Sequence, residues 1–437
     1  MNPIFIERMK ELLKDEFDDF MAAMQKYDIK GFYLNPQKKD VLSHLDTRYI
    51  TPHPYITNGY YYDHKHYAPG KSPYFQCGLY YIQEPSAMAV VPCLDIKADD
   101  YILDMCAAPG GKTCYAASQL SHEGLMIAND ISSLRARILA GNIERFGLQN
   151  TIVTNTDPLK FEFDSFFDKV ILDAPCSGEG MFRKDPEAIA DWSPQKVQEC
   201  AYIQRQLIDK AYAMIRNNGY LLYSTCTYSP EENEQQVDYM IHTLGMELIP
   251  IDKKPGMSEG LIPGTIRMYP HINQGEGQFI ALLKKKTETT QSKPKLLKPN
   301  LNKEQMQLIT RFYQENLNIP VPQYLYQSQN HVYAISDHFP QIDKIRILRN
   351  GLYLGECKKG RFEPALSLAL TLEHKDVKRS YSFHEDSQEV KDYLKGLTLK
   401  GNQSKGYGVI FVDDYPLSFY KESNGQIKNL YPKGLRR

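Results

Sequence analysis

Tyr101-Ile102-Leu103-Asp104-Met105-Cys106-Ala107-Ala108-Pro109-Gly110-Gly111-Lys112-Thr113 runs from an apolar stretch through an acid into a glycine-rich turn. A short apolar run closed by such a turn reads as a strand leading into a helix. The pattern repeats downstream. Leu125-Met126-Ile127-Ala128 ends at Asn129-Asp130, and Thr151-Ile152-Val153 leads to Asp157. Lys169-Val170-Ile171-Leu172 ends at Asp173, and Tyr220-Leu221-Leu222-Tyr223 leads to Cys226. Helical stretches lie between several of these runs, at 134–146 and 197–215. Alternating strands and helices predict an α/β fold with a doubly wound parallel sheet. In such sheets a ligand binds beyond the carboxyl ends of the strands. All five runs carry an acid or a thiol at that end. One acid there is an ordinary turn or cap, but an ordered series predicts a site.

The 437 residues exceed what one core holds. The expected divisions are an N-terminal module over 1–95, the α/β core over 96–286, a linker over 287–302, a small domain over 303–377 and a last domain over 378–437. The first module opens on a helix, with Asn2 as cap, Pro3 at the first helical position, and Phe5, Met9, Leu12, Leu13, Phe17 and Phe20 on one face. Residues 31–95 are rich in Tyr and Pro without a long periodic segment, which predicts an irregular platform. The stretch 277–283 closes the core. After it, 284–298 holds six lysines and has the composition of a solvated tether. Asn424-Gly425 marks a hairpin near the end.

A formal charge of −1 provides no global basic field, so any nucleic acid must be met by local patches. The cysteines at 77, 93, 106, 114, 176, 200, 226 and 357 show no Cys-x-x-Cys spacing, so no metal is expected. The opening Met1-Asn2-Pro3-Ile4-Phe5-Ile6-Glu7-Arg8 meets charge too early for a signal peptide, and no apolar run approaches the ~18 residues of a membrane span. A cytoplasmic, reducing location and free thiols are the expectation, and no membrane partner.

The glycine-rich turn invites two misreadings. A phosphate-binding P-loop needs Gly where Cys106 stands, and a dinucleotide fingerprint needs Gly where Lys112 stands. Both fail. A turn of Cys106, Ala107, Ala108, Pro109, Gly110, Gly111 and Lys112 still offers bare backbone and helix N–H groups to a carboxylate. Asp130 is set to grip ribose hydroxyls, and Asp157 to accept from an adenine amino group. S-adenosylmethionine carries carboxylate, ribose and adenine together, and is the expected cofactor.

Two further motifs, Asp173-Ala174-Pro175-Cys176-Ser177-Gly178 and Ser224-Thr225-Cys226-Thr227, bring cysteines to the same edge. A free thiol near pKa 8.5 is only a few per cent thiolate at neutral pH. Ser229-Pro230-Glu231-Glu232 reads as a capping box, so a helix dipole just downstream is expected to activate Cys226. Cysteines 77, 93, 114, 200 and 357 read as packing residues. A redox pair is the rival for Cys176 and Cys226, but it calls for no adenosyl pocket. A thiol beside a methyl donor suits a substrate carbon too electron-poor to attack unaided. Carbon 5 of cytosine is one: thiolate addition at carbon 6 activates it, and an acid near ring nitrogen 3, here Asp173, steadies the adduct.

At these residues the chain resembles the Nop/Sun family of RNA cytosine-5 methyltransferases. The resemblance is carried by 106–113, 173–180 and 224–232, with Gln83-Glu84-Pro85-Ser86-Ala87-Met88, Arg267-Met268-Tyr269-Pro270-His271 and Gly275-Glu276-Gly277. It implies a Rossmann-like class I methyltransferase core, Cys226 as nucleophile, and Cys176 assisting product release. DNA cytosine-5 methyltransferases attack instead with the Pro-Cys cysteine, so the second motif decides the class. Asn350-Gly351-Leu352-Tyr353-Leu354-Gly355 and the stretch 428–436 look like the RsmF-like bacterial branch. That implies a PUA-like RNA-binding domain over 378–437, with Lys428, Lys433, Arg436 and Arg437 at its end, and 16S ribosomal RNA as substrate. The expectation is therefore a monomeric RNA cytosine-5 methyltransferase with Cys226, Cys176 and Asp173 in catalysis. Its rivals are a tRNA enzyme of the same chemistry and an RNA-binding assembly factor on a dead core; the second predicts a lost thiol or acid, and none is lost.

Overall fold

The computed structural model describes residues 1–26, 29–287 and 294–436. Its centre is a ten-stranded sheet. Five strands run parallel, in the order Ile215–Thr225, Phe167–Asp173, Tyr101–Asp104, Leu125–Asn129 and Thr151–Asn155. Side chains alternate across a strand, and here both faces are buried. Ile102, Met126, Val153, Ile171 and Leu222 enter one core, while Leu103, Ile127, Ile152, Leu172 and Leu221 enter the other. Each such side chain contributes roughly 1.5–3 kcal/mol on burial. The covering helices Ser133–Arg145 and Pro194–Met214 start where Ser132 and Ser193 cap them, within a few residues of the expected bounds. From Tyr101–Asp104 the strand order first runs outward to Leu125–Asn129 and Thr151–Asn155 and then resumes on the other side at Phe167–Asp173, and such a switch point at the carboxyl edge is where parallel sheets bind ligands.

The N-terminal module is more regular than its composition suggests. Helix Pro3–Leu13 is capped by Asn2, whose side chain accepts from the Ile4 N–H. A 3₁₀ turn, Lys14–Glu16, then breaks the expected continuous face before helix Phe17–Ala23. Phe5, Met9, Leu13 and Phe20 still share one cluster, packed on Phe182, Trp192, Tyr228 and Tyr269 of the core. Beyond it, Ile50–Pro52, Gly59–Tyr62, Lys30–Leu34 and Tyr80–Gln83 form an antiparallel sheet where an irregular platform was expected. Its strands are too short for an alternation to register in the sequence.

The C-terminal third is not a set of beads on a tether. Arg346–Asn350 pairs antiparallel with Thr151–Asn155 and so extends the core sheet. The expected small domain over 303–377 thus donates a strand across its own boundary. The last domain is a five-stranded sheet, including the hairpin Tyr415–Ser423 and Gln426–Asn429 turned at Asn424-Gly425. It shares a core with the N-terminal module: Phe32, Tyr74, Cys77 and Tyr80 pack with Tyr393, Ile410, Leu417 and Tyr431. The Tyr431 hydroxyl donates to Gln76, and the Tyr74 hydroxyl to Asp413. The expected tether falls partly outside the described residues, at 288–293, as does Arg437. Where described, Lys285 is no solvated charge, because its buried ammonium donates to the Tyr212 and Ile215 carbonyls. Among the described residues no helix is long and apolar enough to cross a membrane.

Candidate active site

The turn after Tyr101–Asp104 is fastened from several sides. Arg135 donates to the Ala108 carbonyl at 2.5 Å, Asn142 to that of Pro109 at 2.7 Å, and the Tyr33 hydroxyl to that of Gly111 at 2.8 Å. Its glycines answer to packing more than to ligand approach. A Cβ on Gly110, at φ +114, would meet Leu139 at 2.9 Å, and one on Gly111 would meet Gln83 at 2.7 Å. Thr113 donates to one oxygen of the buried Asp104, and the other oxygen has no partner. Burial pushes the Asp104 carboxyl up to about 7. Cys106 beside it is also pushed up, by burial first and then by Asp104, Asp173 and Asp130. A negative field with an unpartnered acid oxygen fits a ligand bearing sulfonium and ammonium charges, as S-adenosylmethionine does.

The next two acids stand at the following strand ends. Asp130 is 2% exposed; one oxygen accepts from the Ser132 N–H at 2.8 Å, and the other lies 3.6 Å from Arg135. Asp157 is half-buried and caps a short turn by accepting from the Leu159 N–H at 3.1 Å. Each therefore serves as a local cap while retaining acceptor capacity.

Asp173 ends the adjoining strand with both oxygens engaged. Lys112 donates to one at 2.8 Å, and the Ser224 hydroxyl to the other at 2.6 Å. Burial works against the Lys112 ammonium, but Asp173, Asp104 and the Cys226 thiol outweigh it and raise its pKa. Beyond Asp173 the two motif cysteines meet, with Cys176 Sγ 3.2 Å from Cys226 Sγ. The hydrogen bond to Cys226 and burial push the Cys176 thiol far above its ordinary value. The five packing cysteines, 77, 93, 114, 200 and 357, are likewise raised by burial.

The expected capping box at Ser229 does not form. The helix starts later, at Glu234, with Asn233 before it, so no helix dipole opens directly behind Cys226. The Ser229 hydroxyl instead donates to Glu179 at 2.7 Å, and Glu232 turns inward to accept from the Ser177 N–H and hydroxyl and from Gln204. Glu179 also accepts from Thr227, the Tyr228 N–H and Trp192, each at 2.8 Å. From the sequence alone, Glu179, Ser177 and Arg135 carry no role of their own and Glu232 reads as a capping residue. The available signal was Glu179, an acid inside an otherwise small and apolar motif. A cavity of about 670 Å³ lies at the opposite edge of the sheet, beside Asp100, Asp168, Lys169 and Arg216. Its charges pair among themselves, Lys169 with Asp100 and Arg216 with Asp168. Volume does not mark the chemistry here.

Residues 91–284 match the family model described as 16S rRNA methyltransferase RsmB/F. Models for the RsmF N-terminal domain, its first C-terminal domain and its PUA domain match 1–85, 311–372 and 380–437. Ribosomal RNA small subunit methyltransferase F from Escherichia coli O157:H7 is 31% identical, with 99% of this chain and 96% of the relative covered. The protein of the same description from Shigella boydii serotype 4 gives the same identity and coverage. Among solved structures, NSun6 from Pyrococcus horikoshii with SFG is 25% identical at a TM-score of 0.59, covering 65% of this chain and 98% of that one. A methyltransferase homolog protein from Pyrococcus horikoshii is 28% identical at a TM-score of 0.58, covering 65% and 95%.

Proposed function

The chain belongs to the RsmB/F family of 16S rRNA methyltransferases, and on that premise we propose that it methylates carbon 5 of a cytosine in 16S ribosomal RNA through a Cys226 adduct. The observation that carries the reading is the thiol pair, 3.2 Å apart, beside an Asp173 held by Lys112 and Ser224. S-adenosylmethionine, when bound, supplies an electrophilic methyl carbon. The rest is work for the chain. The turn 106–112 with Asp130 and Asp157 holds the carboxylate, ribose and adenine of that donor. Cys226 passes its proton to water and adds as thiolate to carbon 6 of the base, which makes carbon 5 nucleophilic. Asp173 relays a proton from Lys112 to ring nitrogen 3, which takes up the negative charge that the adduct places there. After methylation the carbon-5 proton passes to water, the proton on nitrogen 3 returns to Asp173, the bond from carbon 6 to sulfur breaks, and Cys226 departs as thiolate. Cys176, whose sulfur lies 3.2 Å from that of Cys226, is placed to assist that departure. The last domain, matched by a PUA model, is the expected second contact for the RNA. The reading takes the protein as a monomer, and the substrate sets the location as cytoplasmic.

Two measurements test this. With RNA and S-adenosylmethionine on denaturing gels, Cys226→Ala should lose both methyl transfer and covalent RNA–protein species, while Cys176→Ala should accumulate the adduct. An adduct that persists in Cys226→Ala and vanishes in Cys176→Ala would invert the assignment. Calorimetry should show Asp130→Ala weakening S-adenosylmethionine binding about tenfold, ~1.4 kcal/mol. Unchanged affinity would remove Asp130 from the cofactor site.

A further inference from the structure

The N-terminal sheet and the core enclose a cavity of about 350 Å³, lined by His53, Tyr55 and Tyr61 on one side and Met268, Asn273 and Gln274 on the other. That volume lies at the lower end of the ~300–1,000 Å³ range of small-ligand pockets. Three features make it more than a packing gap. His53 stacks on Tyr61 with ring centroids 4.8 Å apart, and Tyr55 meets the His53 ring edge-on at 4.5 Å. His53 is 6% exposed, yet its Nδ1 has no hydrogen-bond partner. Buried polar atoms are rarely left so. The far wall also connects to the thiol site. Asn273 meets the Ser86 hydroxyl at 3.1 Å, and that hydroxyl donates to the Glu276 carbonyl at 2.8 Å. The next N–H, of Gly277, donates to Gly180, whose own N–H donates to the Cys226 carbonyl.

Resting on the function proposed above, we propose that this cavity receives an unstacked base of the RNA substrate, a neighbour of the cytosine presented to Cys226. An aromatic wall with one free hydrogen-bonding atom suits a base, because every base offers a face to stack and an edge to pair. Burial pushes the His53 imidazole down to about 4, so the ring is neutral at pH 7 and meets the base edge by hydrogen bond rather than charge. The occupant is thus read by shape and edge, separately from the phosphate contacts that dominate overall affinity.

The test uses the full chain, in vitro transcribed 16S RNA carrying 4-thiouridine, and the variants His53→Phe and Tyr61→Leu. His53→Phe keeps a ring while removing the nitrogen. It should raise KM for RNA about five- to tenfold, as expected for one lost hydrogen bond. Tyr61→Leu should raise it at least about fivefold, as expected for a lost base stack. In both, the effect should fall on KM rather than kcat, with S-adenosylmethionine affinity by calorimetry unchanged. Irradiated wild-type complexes should yield crosslinked peptides containing residues 51–61. Wild-type KM in both variants, or crosslinks confined to 378–436, would overturn the proposal while leaving the methyltransferase reading intact. A wild type that methylates no 16S RNA would overturn the reading first and this proposal with it.

Discussion

The segments 174–181 and 226–233 each carry one cysteine, and each is clamped by a glutamate belonging to the other. Glu179, from the Cys176 side, accepts from Thr227, Tyr228 and Ser229 of the Cys226 side, and from Trp192. Glu232, from the Cys226 side, accepts twice from Ser177 and once from Gln204. The arrangement is reciprocal but unequal. Four donors fill the acceptor sites of Glu179, while burial pushes the Glu232 carboxyl up to about 7. The loop under Cys226 is therefore tied by a saturated acid, and the loop under Cys176 by one that exchanges its proton near neutrality. Two thiols in contact need not be held with equal firmness, and the asymmetry is in line with the division proposed above between one that attacks and one that assists release.

Breaking the stronger clamp should have the largest effect. Glu179→Ala leaves the Tyr228 N–H, the Trp192 ring N–H and the Ser229 hydroxyl without their acceptor, and each such loss costs ~1–3 kcal/mol. We expect a destabilisation of at least ~3 kcal/mol by urea denaturation, and a loss below ~1 kcal/mol would show the clamp to be decorative. Next comes Glu232→Gln. The folded pKa of Glu232 stands above its ordinary 4.5, so its contribution is fully present below about pH 4.5 and is lost as pH rises through about 7. Between those limits the wild type should lose ~3 kcal/mol of stability relative to Glu232→Gln. Parallel stability–pH curves for the two proteins would remove the inequality between the clamps. The smallest effect belongs to Arg8, which pairs with Glu231 at 2.6 Å on the outer side of the Cys226 loop. That pair is partly exposed, so Arg8→Ala should cost no more than ~1 kcal/mol in the same assay. A larger cost would mean that the loop leans on the N-terminal helix as much as on Glu179.

The parallel strands were legible because each is an apolar run ended by a polar residue, and Asp104, Asp130, Asp157, Asp173 and Cys226 follow those ends in order. What escaped was non-local. The start of the helix near Ser229 was misread because a Ser-Pro-Glu-Glu pattern carries a local capping preference, whereas Glu179, fifty residues earlier in the chain, takes the Ser229 hydroxyl. The hydrogen bonds to a buried carboxylate outweigh a cap that contributes only about 1 kcal/mol. The strand Arg346–Asn350 was invisible for a similar reason: its residues alternate weakly, and only pairing with Thr151–Asn155 makes them a strand. The N-terminal strands, three to five residues each, are held by aromatic packing such as Phe32 on Tyr60 and Tyr80, which no periodicity reports.

That borrowed strand bears on how the chain is made. A polypeptide emerges from its N-terminus, so Thr151–Asn155 leaves the ribosome well before its partner, with 156–345 still to be synthesised between them. Until Arg346–Asn350 arrives, the core presents a bare row of backbone donors and acceptors, the surface on which sheets join to other sheets. The same holds for any fragment cut after the α/β core. A core ending at residue 286 would keep its thiols and acids yet carry an open seam along one side, and its hazard would be self-association rather than loss of chemistry.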